Sequence, residues 1–68
     1  MSFKEWLYTE LINDSIISPD EVSVEELDAD YLYECTDLEE ADLVNYECQF
    51  KEYCRRRGEV ANLDFYYA

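Results

Sequence analysis

The sequence predicts an all-α fold, a small bundle of about three helices with an apolar C-terminal segment folded back on them. Three observations predict it. At four sites a Ser or Thr is followed three residues later by Glu, the pattern of a capping box at a helix start. Apolar residues recur at helical spacing between these sites. One Gly and one Pro in 68 residues leave few chain breakers, and this length predicts a single domain spanning 1–68.

The first helix is predicted at about 3–13. Ser2 and Glu5 form the capping box that starts it. Phe3, Leu7 and Leu11 follow at i, i+4 and i+8, so they lie on one face and are expected in the core. The turn-forming residues at 13–15 end the helix.

The second helix is predicted at about 24–35, after a short turn at 19–22. Ser23 with Glu26 supplies the starting pattern. We expect Leu27, Tyr31 and either Leu32 or Cys35 to point inward.

The third helix is predicted at about 37–57. Thr36 is the expected cap, acids occupy the first turn and the bases of 55–57 occupy the last, which complements the helix dipole at both ends. Gly58 follows, where helices commonly end in a left-handed residue. The pairs Glu47–Lys51 and Glu52–Arg56 have the i, i+4 spacing of helical ion pairs.

This third helix is apolar on two faces. One face contains Leu43, Tyr46, Phe50, Tyr53 and Cys54, and the other contains Ala41, Val44 and Cys48. Such a helix is either central in a tightly wrapped monomer or paired with a second copy, and we favour a homodimer through helix 37–57. The C-terminal segment carries Leu63, Phe65, Tyr66 and Tyr67, and is too apolar to extend freely into water.

The residues that catalysis and metal binding most often need are missing. There is no His, so the commonest general base and metal ligand is absent. Cys35, Cys48 and Cys54 do not have zinc-site spacing and are expected to be reduced, packing mostly as small apolar residues. One Gly excludes a glycine-rich phosphate loop. We therefore expect no enzyme activity, no metal and no cofactor.

Charge is the strongest functional signal in the chain. The net charge is −13, from 18 acids and five bases, and no Lys or Arg lies between Glu5 and Phe50. Solubility of a small domain needs a magnitude of only about 2–8, and mutual repulsion destabilises the fold. We therefore predict a partner-binding surface made of the 12 acids between residues 20 and 47: Asp20, Glu21, Glu25, Glu26, Asp28, Asp30, Glu34, Asp37, Glu39, Glu40, Asp42 and Glu47.

In its size and in this acidic stretch, the chain resembles the small acidic proteins that phages and mobile elements use as DNA mimics. These proteins include inhibitors of restriction enzymes, of uracil-DNA glycosylase and of CRISPR effectors. The resemblance implies an anti-restriction or anti-CRISPR type of inhibitor whose partner is a basic nucleic-acid-binding protein or complex. It implies no direct contact with nucleic acid.

A second hypothesis is a small protein-interaction module or antitoxin-like regulator, which binds through aromatic and acidic side chains without mimicry. Both hypotheses place the protein in the cytoplasm, of the host cell if a phage encodes it. The sequence contains neither a secretion signal nor an apolar run of about 20 residues that would span a membrane.

Overall fold

The computed structural model describes residues 1–65, and these residues form three helices connected by turns. They are α1 (Phe3–Asn13), α2 (Ala29–Cys35) and α3 (Glu40–Arg57). The predicted all-α bundle is confirmed. No helix in this part of the chain is long and apolar enough to cross a membrane.

Helix α1 has the predicted limits because its cap and its apolar stripe agree. The hydroxyl of Ser2 accepts a hydrogen bond from the backbone N–H of Glu5 at 3.3 Å. The stripe of Phe3, Leu7 and Leu11 is fully buried. The chain then turns through Ser15, which has a left-handed φ of 61°, and buries Ile17 in the connection to the next segment.

Helix α2 begins at Ala29, so the predicted start at 24 is wrong. The Ser23–Glu26 pattern is made, with Ser23 Oγ donating to Glu26 Oε1 at 2.9 Å, but it closes only a single turn. The backbone becomes extended at Asp28, whose carboxylate caps α2 by accepting the N–H of Tyr31 at 2.7 Å. Leu32 is buried and Cys35 is exposed, which decides the alternative left open by the sequence.

Helix α3 begins at Glu40, three residues after the predicted start. Thr36 does not start α3, because its backbone N–H and its hydroxyl both donate to the carbonyl of Leu32 and so end α2. Glu39 takes the cap position, and its N–H donates to the Asp42 carboxylate at 2.8 Å. The predicted end is confirmed: Gly58 follows Arg57 with a left-handed φ of 68°.

The core lies where α1 packs against α3. The Phe50 ring is 5.2 Å from the Phe3 ring and 5.4 Å from the Trp6 ring, measured between centroids. Phe65 meets Phe3 edge to face at 6.0 Å. These rings join the two helices and the C-terminal segment in one aromatic cluster, and aromatic pairs of this geometry stabilise a core beyond their buried area.

The C-terminal segment folds back as predicted, as far as residue 65. The N–H of Phe3 donates to the Asn62 carbonyl, and the N–H of Asn62 donates to the Met1 carbonyl, both at 2.9 Å. Phe65 is buried, whereas Leu63 is exposed. The predictions for Tyr66 and Tyr67 lie outside the described residues.

The outward face of α3 does not match the prediction of a monomer that wraps tightly around this helix. Ala41, Val44 and Cys48 are all exposed, so the chain does not wrap both apolar faces of the helix. Cys54 is buried on the core side. Two of the three thiols are therefore at the surface, and the expectation that most cysteines pack as apolar residues is wrong.

Candidate partner-binding surface

Eleven of the 12 acids predicted to form the partner-binding surface are exposed. The exception is Glu47, whose half-buried side chain pairs with Lys51 at 3.2 Å. We call the 11 exposed acids the acidic surface. They come from the two turns before α2, from α2 itself, from the link to α3 and from the first turn of α3, in the order Asp20, Glu21, Glu25, Glu26, Asp28, Asp30, Glu34, Asp37, Glu39, Glu40 and Asp42.

The first four of these acids lie on two turns that contacts to α1 hold in place. Val22 and Leu27 are buried, whereas all four acids are exposed. The hydroxyl of Tyr8 donates to the Val22 carbonyl at 2.7 Å, and Lys4 Nζ donates to the Glu25 carbonyl at 3.3 Å. These two hydrogen bonds tie Val22, which follows the first turn, and Glu25, which lies in the second turn, to α1.

Helix α2 and its link to α3 place the next acids. Asp30 and Glu34 are one helical turn apart, so they share a side of α2. Leu32 points into the core and turns that side toward water. The Thr36 hydroxyl accepts from the N–H of Leu38 at 3.1 Å, which fixes the link that carries Asp37.

Three members of the acidic surface also have structural roles. The carboxylate of Glu26 closes its turn, that of Asp28 caps α2 and that of Asp42 caps α3. Substituting any of these three alters the backbone as well as the charge. Glu39 completes the capping box of α3 by accepting from the backbone N–H of Asp42, and the other seven members make no side-chain hydrogen bond within residues 1–65.

Four of the five bases lie at the other end of α3, where each pairs with a carboxylate. Glu52 Oε1 lies 2.5 Å from Arg55 Nη2 and 3.1 Å from Arg56 Nε, and Glu59 Oε2 lies 2.8 Å from Arg57 Nε. Hydrogen bonds from Arg55 and then Arg56 lower the pKa of Glu52. The predicted i, i+4 ion pairs Glu47–Lys51 and Glu52–Arg56 are both confirmed. Among the described residues, no ion pair includes a member of the acidic surface, so the charges are segregated along the molecule.

Tyrosines lie among the carboxylates. Partial burial raises the pKa of Tyr31, with further contributions from Cys35, Glu21 and Glu26. Partial burial, then the charges of Glu40 and Asp30, raise the pKa of Tyr33, whose side chain is 38% exposed. Carboxylates from separate segments of the chain therefore lie close to the same ring. The acidic surface therefore has aromatic positions within it.

Asp14 and Tyr46 extend the acidic surface, and the sequence analysis did not predict their contact. The Tyr46 hydroxyl donates to Asp14 Oδ2 at 3.0 Å and joins the end of α1 to the middle of α3. Burial, this hydrogen bond and the charges of Asp14, Glu10 and Asp42 raise the pKa of Tyr46 to about 12. The two partners are 32 residues apart, and no local pattern in the sequence indicates their contact.

Within residues 1–65, no three His, Cys, Asp or Glu side chains lie close enough together to hold a metal ion. A groove of about 190 Å³ lies beside α1 and is lined by Ser2, Lys4, Glu5, Val24, Glu25 and Asp64. It is open to solvent, and three carboxylate residues and one Lys contribute to its lining. No protein-family model matches this chain, and no characterised protein or solved structure is significantly similar to it.

Proposed function

We propose that this protein is a non-enzymatic inhibitor that occupies the basic nucleic-acid-binding site of a cytoplasmic partner by mimicking DNA, of the anti-restriction or anti-CRISPR type. The observation that carries the proposal is the segregation of charge. Within residues 1–65 no carboxylate of the acidic surface forms an ion pair, while all four bases of α3 are paired with Glu47, Glu52 and Glu59. An uncompensated field of one sign attracts a partner of the opposite sign.

The dimensions support the proposal. The protein is 33 Å long and 23 Å by 19 Å across. Duplex DNA carries about 19 phosphate charges over 33 Å of its axis, at one charge per roughly 1.7 Å. The chain has 18 Asp and Glu carboxylates within the same length, a number close to that of the phosphates. Acids one helical turn apart are about 5–6 Å apart at Cβ, which is close to the spacing of neighbouring phosphates.

The proposal is tested by capture from a bacterial lysate on the immobilised protein. The bound protein should be released by duplex DNA and by high salt, because both act on the charged contacts. Release by salt alone, with no effect of a large excess of DNA, would count against mimicry. The purified chain itself should give no gel shift with DNA or RNA at micromolar concentration, because its bases are few and the four in α3 are paired with carboxylates.

A matched pair of charge reversals separates the acidic surface from the net charge. Glu34→Lys acts on the acidic surface, and Glu5→Lys acts at an exposed helical position outside it. Both change the net charge by the same amount. The mimic proposal expects Glu34→Lys to slow association with the captured partner severalfold more than Glu5→Lys, because complementary fields act mainly on the encounter rate. Equal slowing by the two variants would mean that only the net charge matters.

The second candidate, a protein-interaction module without mimicry, is favoured by the exposed Tyr33 within the acidic surface. Tyrosine is enriched among residues that dominate binding energy at interfaces. For such a module, Tyr33→Ala would abolish binding, salt would have little effect, and DNA would not compete. The mimic instead distributes its binding over many carboxylates, so Tyr33→Ala should weaken it only modestly.

A further inference from the structure

The C-terminal segment 59–65 supplies part of the cap of α1. The backbone N–H groups in the first turn of a helix have no carbonyl partner within the helix. In α1, the N–H of Phe3 donates to the Asn62 carbonyl at 2.9 Å, and that of Lys4 donates to Asp64 Oδ1 at 2.9 Å. Asp64 lies 60 residues after Lys4 in the sequence, so α1 is capped in part by a distant segment.

Asp64 also positions the cap residue of α1. Ser2 Oγ donates to Asp64 Oδ2 at 2.5 Å and accepts from the N–H of Glu5 at 3.3 Å. A hydroxyl has one hydrogen to donate, so its bond to Asp64 turns its lone pairs toward the helix. The carboxylate therefore holds one N–H of α1 directly and helps to satisfy a second through Ser2. Its negative charge also complements the positive end of the helix dipole.

The charged groups that face Asp64 come from two other elements. Lys4 and Glu5 belong to α1, Glu25 belongs to the second turn before α2, and all three line the groove beside α1 together with Asp64. Burial raises the pKa of Asp64, but the hydrogen bonds from Ser2 and from the Lys4 N–H, with the charge of Lys4, outweigh it and hold the pKa below its ordinary value of 3.8. The folded state therefore favours the ionised carboxylate.

We propose that Asp64 is a latch, whose ionised carboxylate holds segment 59–65 on α1 and whose protonation releases that segment while α1 and α3 stay packed together. Two of the apolar residues of the segment, Val60 and Leu63, are 82% and 44% exposed, whereas Phe65 is buried. Segments that bury few apolar side chains open locally before the rest of a fold. This inference does not depend on the mimic proposal.

The direction of the pH effect follows from the lowered pKa of Asp64. A carboxyl group whose pKa is lower in the folded state stabilises the fold above its ordinary value of 3.8, and this contribution is lost as the pH falls through the lowered pKa. The segment is therefore held at neutral pH and released in acid. Acid also protonates the other carboxylates and reduces their repulsion, so a variant without the latch is needed to isolate Asp64.

Amide hydrogen exchange of the full chain, measured by NMR at neutral pH, tests the latch. Asp64→Ala should speed exchange of the Phe3 and Asn62 N–H groups by about tenfold or more, because the charge-assisted bonds that hold the segment are lost. Exchange of the Phe50 N–H in α3 should not change. Asp37→Ala is the matched control, since Asp37 is an exposed acid without a side-chain hydrogen bond within residues 1–65. Unchanged exchange at Asn62, or equal acceleration at Phe50, would overturn the proposal.

An acid titration of the unmodified chain gives a second measurement. As the pH falls, protection of the Phe3 and Asn62 N–H groups from exchange should decrease together with protonation of the Asp64 carboxyl, which its ¹³C shift reports. The Phe50 N–H should remain protected through this step, and the step should be absent from Asp64→Asn. If the segment and Phe50 lose protection at the same pH, the segment is an inseparable part of the core and Asp64 is not a latch.

Discussion

Raising the salt concentration should stabilise this protein strongly, because its net charge of −13 is concentrated in a small volume. The Cα radius of gyration is 11.6 Å, which corresponds to a sphere of about 15 Å radius. The same chain unfolded has a radius of gyration of about 25 Å. Folding therefore brings like charges together, and screening relieves the folded state more than the unfolded one.

The size of the effect follows from Coulomb's law with screening. For a charged sphere in water, the electrostatic self-energy of the folded chain is about 16 kcal/mol at 10 mM salt and about 8 kcal/mol at 150 mM. The corresponding energies of the unfolded chain are about 5 and about 2 kcal/mol. The difference raises the free energy of unfolding by about 4–5 kcal/mol, against a total of only about 3–10 kcal/mol for a domain of this length.

The assay is thermal unfolding followed by circular dichroism in NaCl and in KCl. At roughly 4 °C or more per kcal/mol for a small domain, the Tm should rise by about 15 °C between 10 and 150 mM salt. The two salts should agree, since screening depends on ionic strength.

A charge-reduced variant is the control. Glu25→Gln, Asp30→Asn, Glu34→Gln and Glu40→Gln together change the net charge from −13 to −9 and remove no hydrogen bond within residues 1–65. Because self-energy scales with the square of the charge, the salt effect should fall to about half. A Tm that is flat or falls with salt would refute the reasoning, and would mean that the acids are already compensated, as they would be in a tight oligomer.

Three further predictions concern the fold. Phe50→Ala should destabilise the protein by about 3–5 kcal/mol, measured by urea denaturation, because Phe50 is fully buried between two rings; a loss below 1 kcal/mol would contradict this packing. Gly58→Ala should cost only about 1 kcal/mol, since the left-handed φ is strained for Ala while no atom lies within 4 Å of the added Cβ. The raised pKa of Tyr46 favours its neutral form in the folded state, so its contribution to stability is present below pH 10 and is lost between pH 10 and about 12; Tyr46→Phe should remove that part of the loss in denaturation at alkaline pH.

Helix α1 could be predicted from the sequence to the residue because its cap and its apolar stripe agree over a short stretch. The starts of α2 and α3 could not be predicted from the sequence. The same Ser/Thr-x-x-Glu pattern forms an isolated turn at Ser23, and the Thr36 hydroxyl donates back to the carbonyl of Leu32. A hydroxyl can cap the helix that follows or end the one that precedes, and packing of Leu27 and Leu32 decides between them.

Exposure of the acidic surface was predictable from charge alone, since a carboxylate without a base is costly to bury. Its extension through Asp14 and Tyr46 was not, because that contact depends on how α1 crosses α3. The exposed stripe on α3 was identified in the sequence as a second apolar face. What the sequence could not decide was whether α2 and the C-terminal segment reach around to cover it.

The distribution of charge in this protein is not the one that stability alone would favour. Surface ion pairs stabilise only weakly, yet each base of α3 pairs with an acid on the same end of the molecule. Within the acidic surface, helix capping and turn closure explain Glu26, Asp28 and Asp42. They do not explain members such as Asp30 and Glu34, which repel one another across one turn of α2. A Lys at either position would remove that repulsion at no cost to the core, so stability alone does not account for the uncompensated field, and the proposed basic partner would account for it.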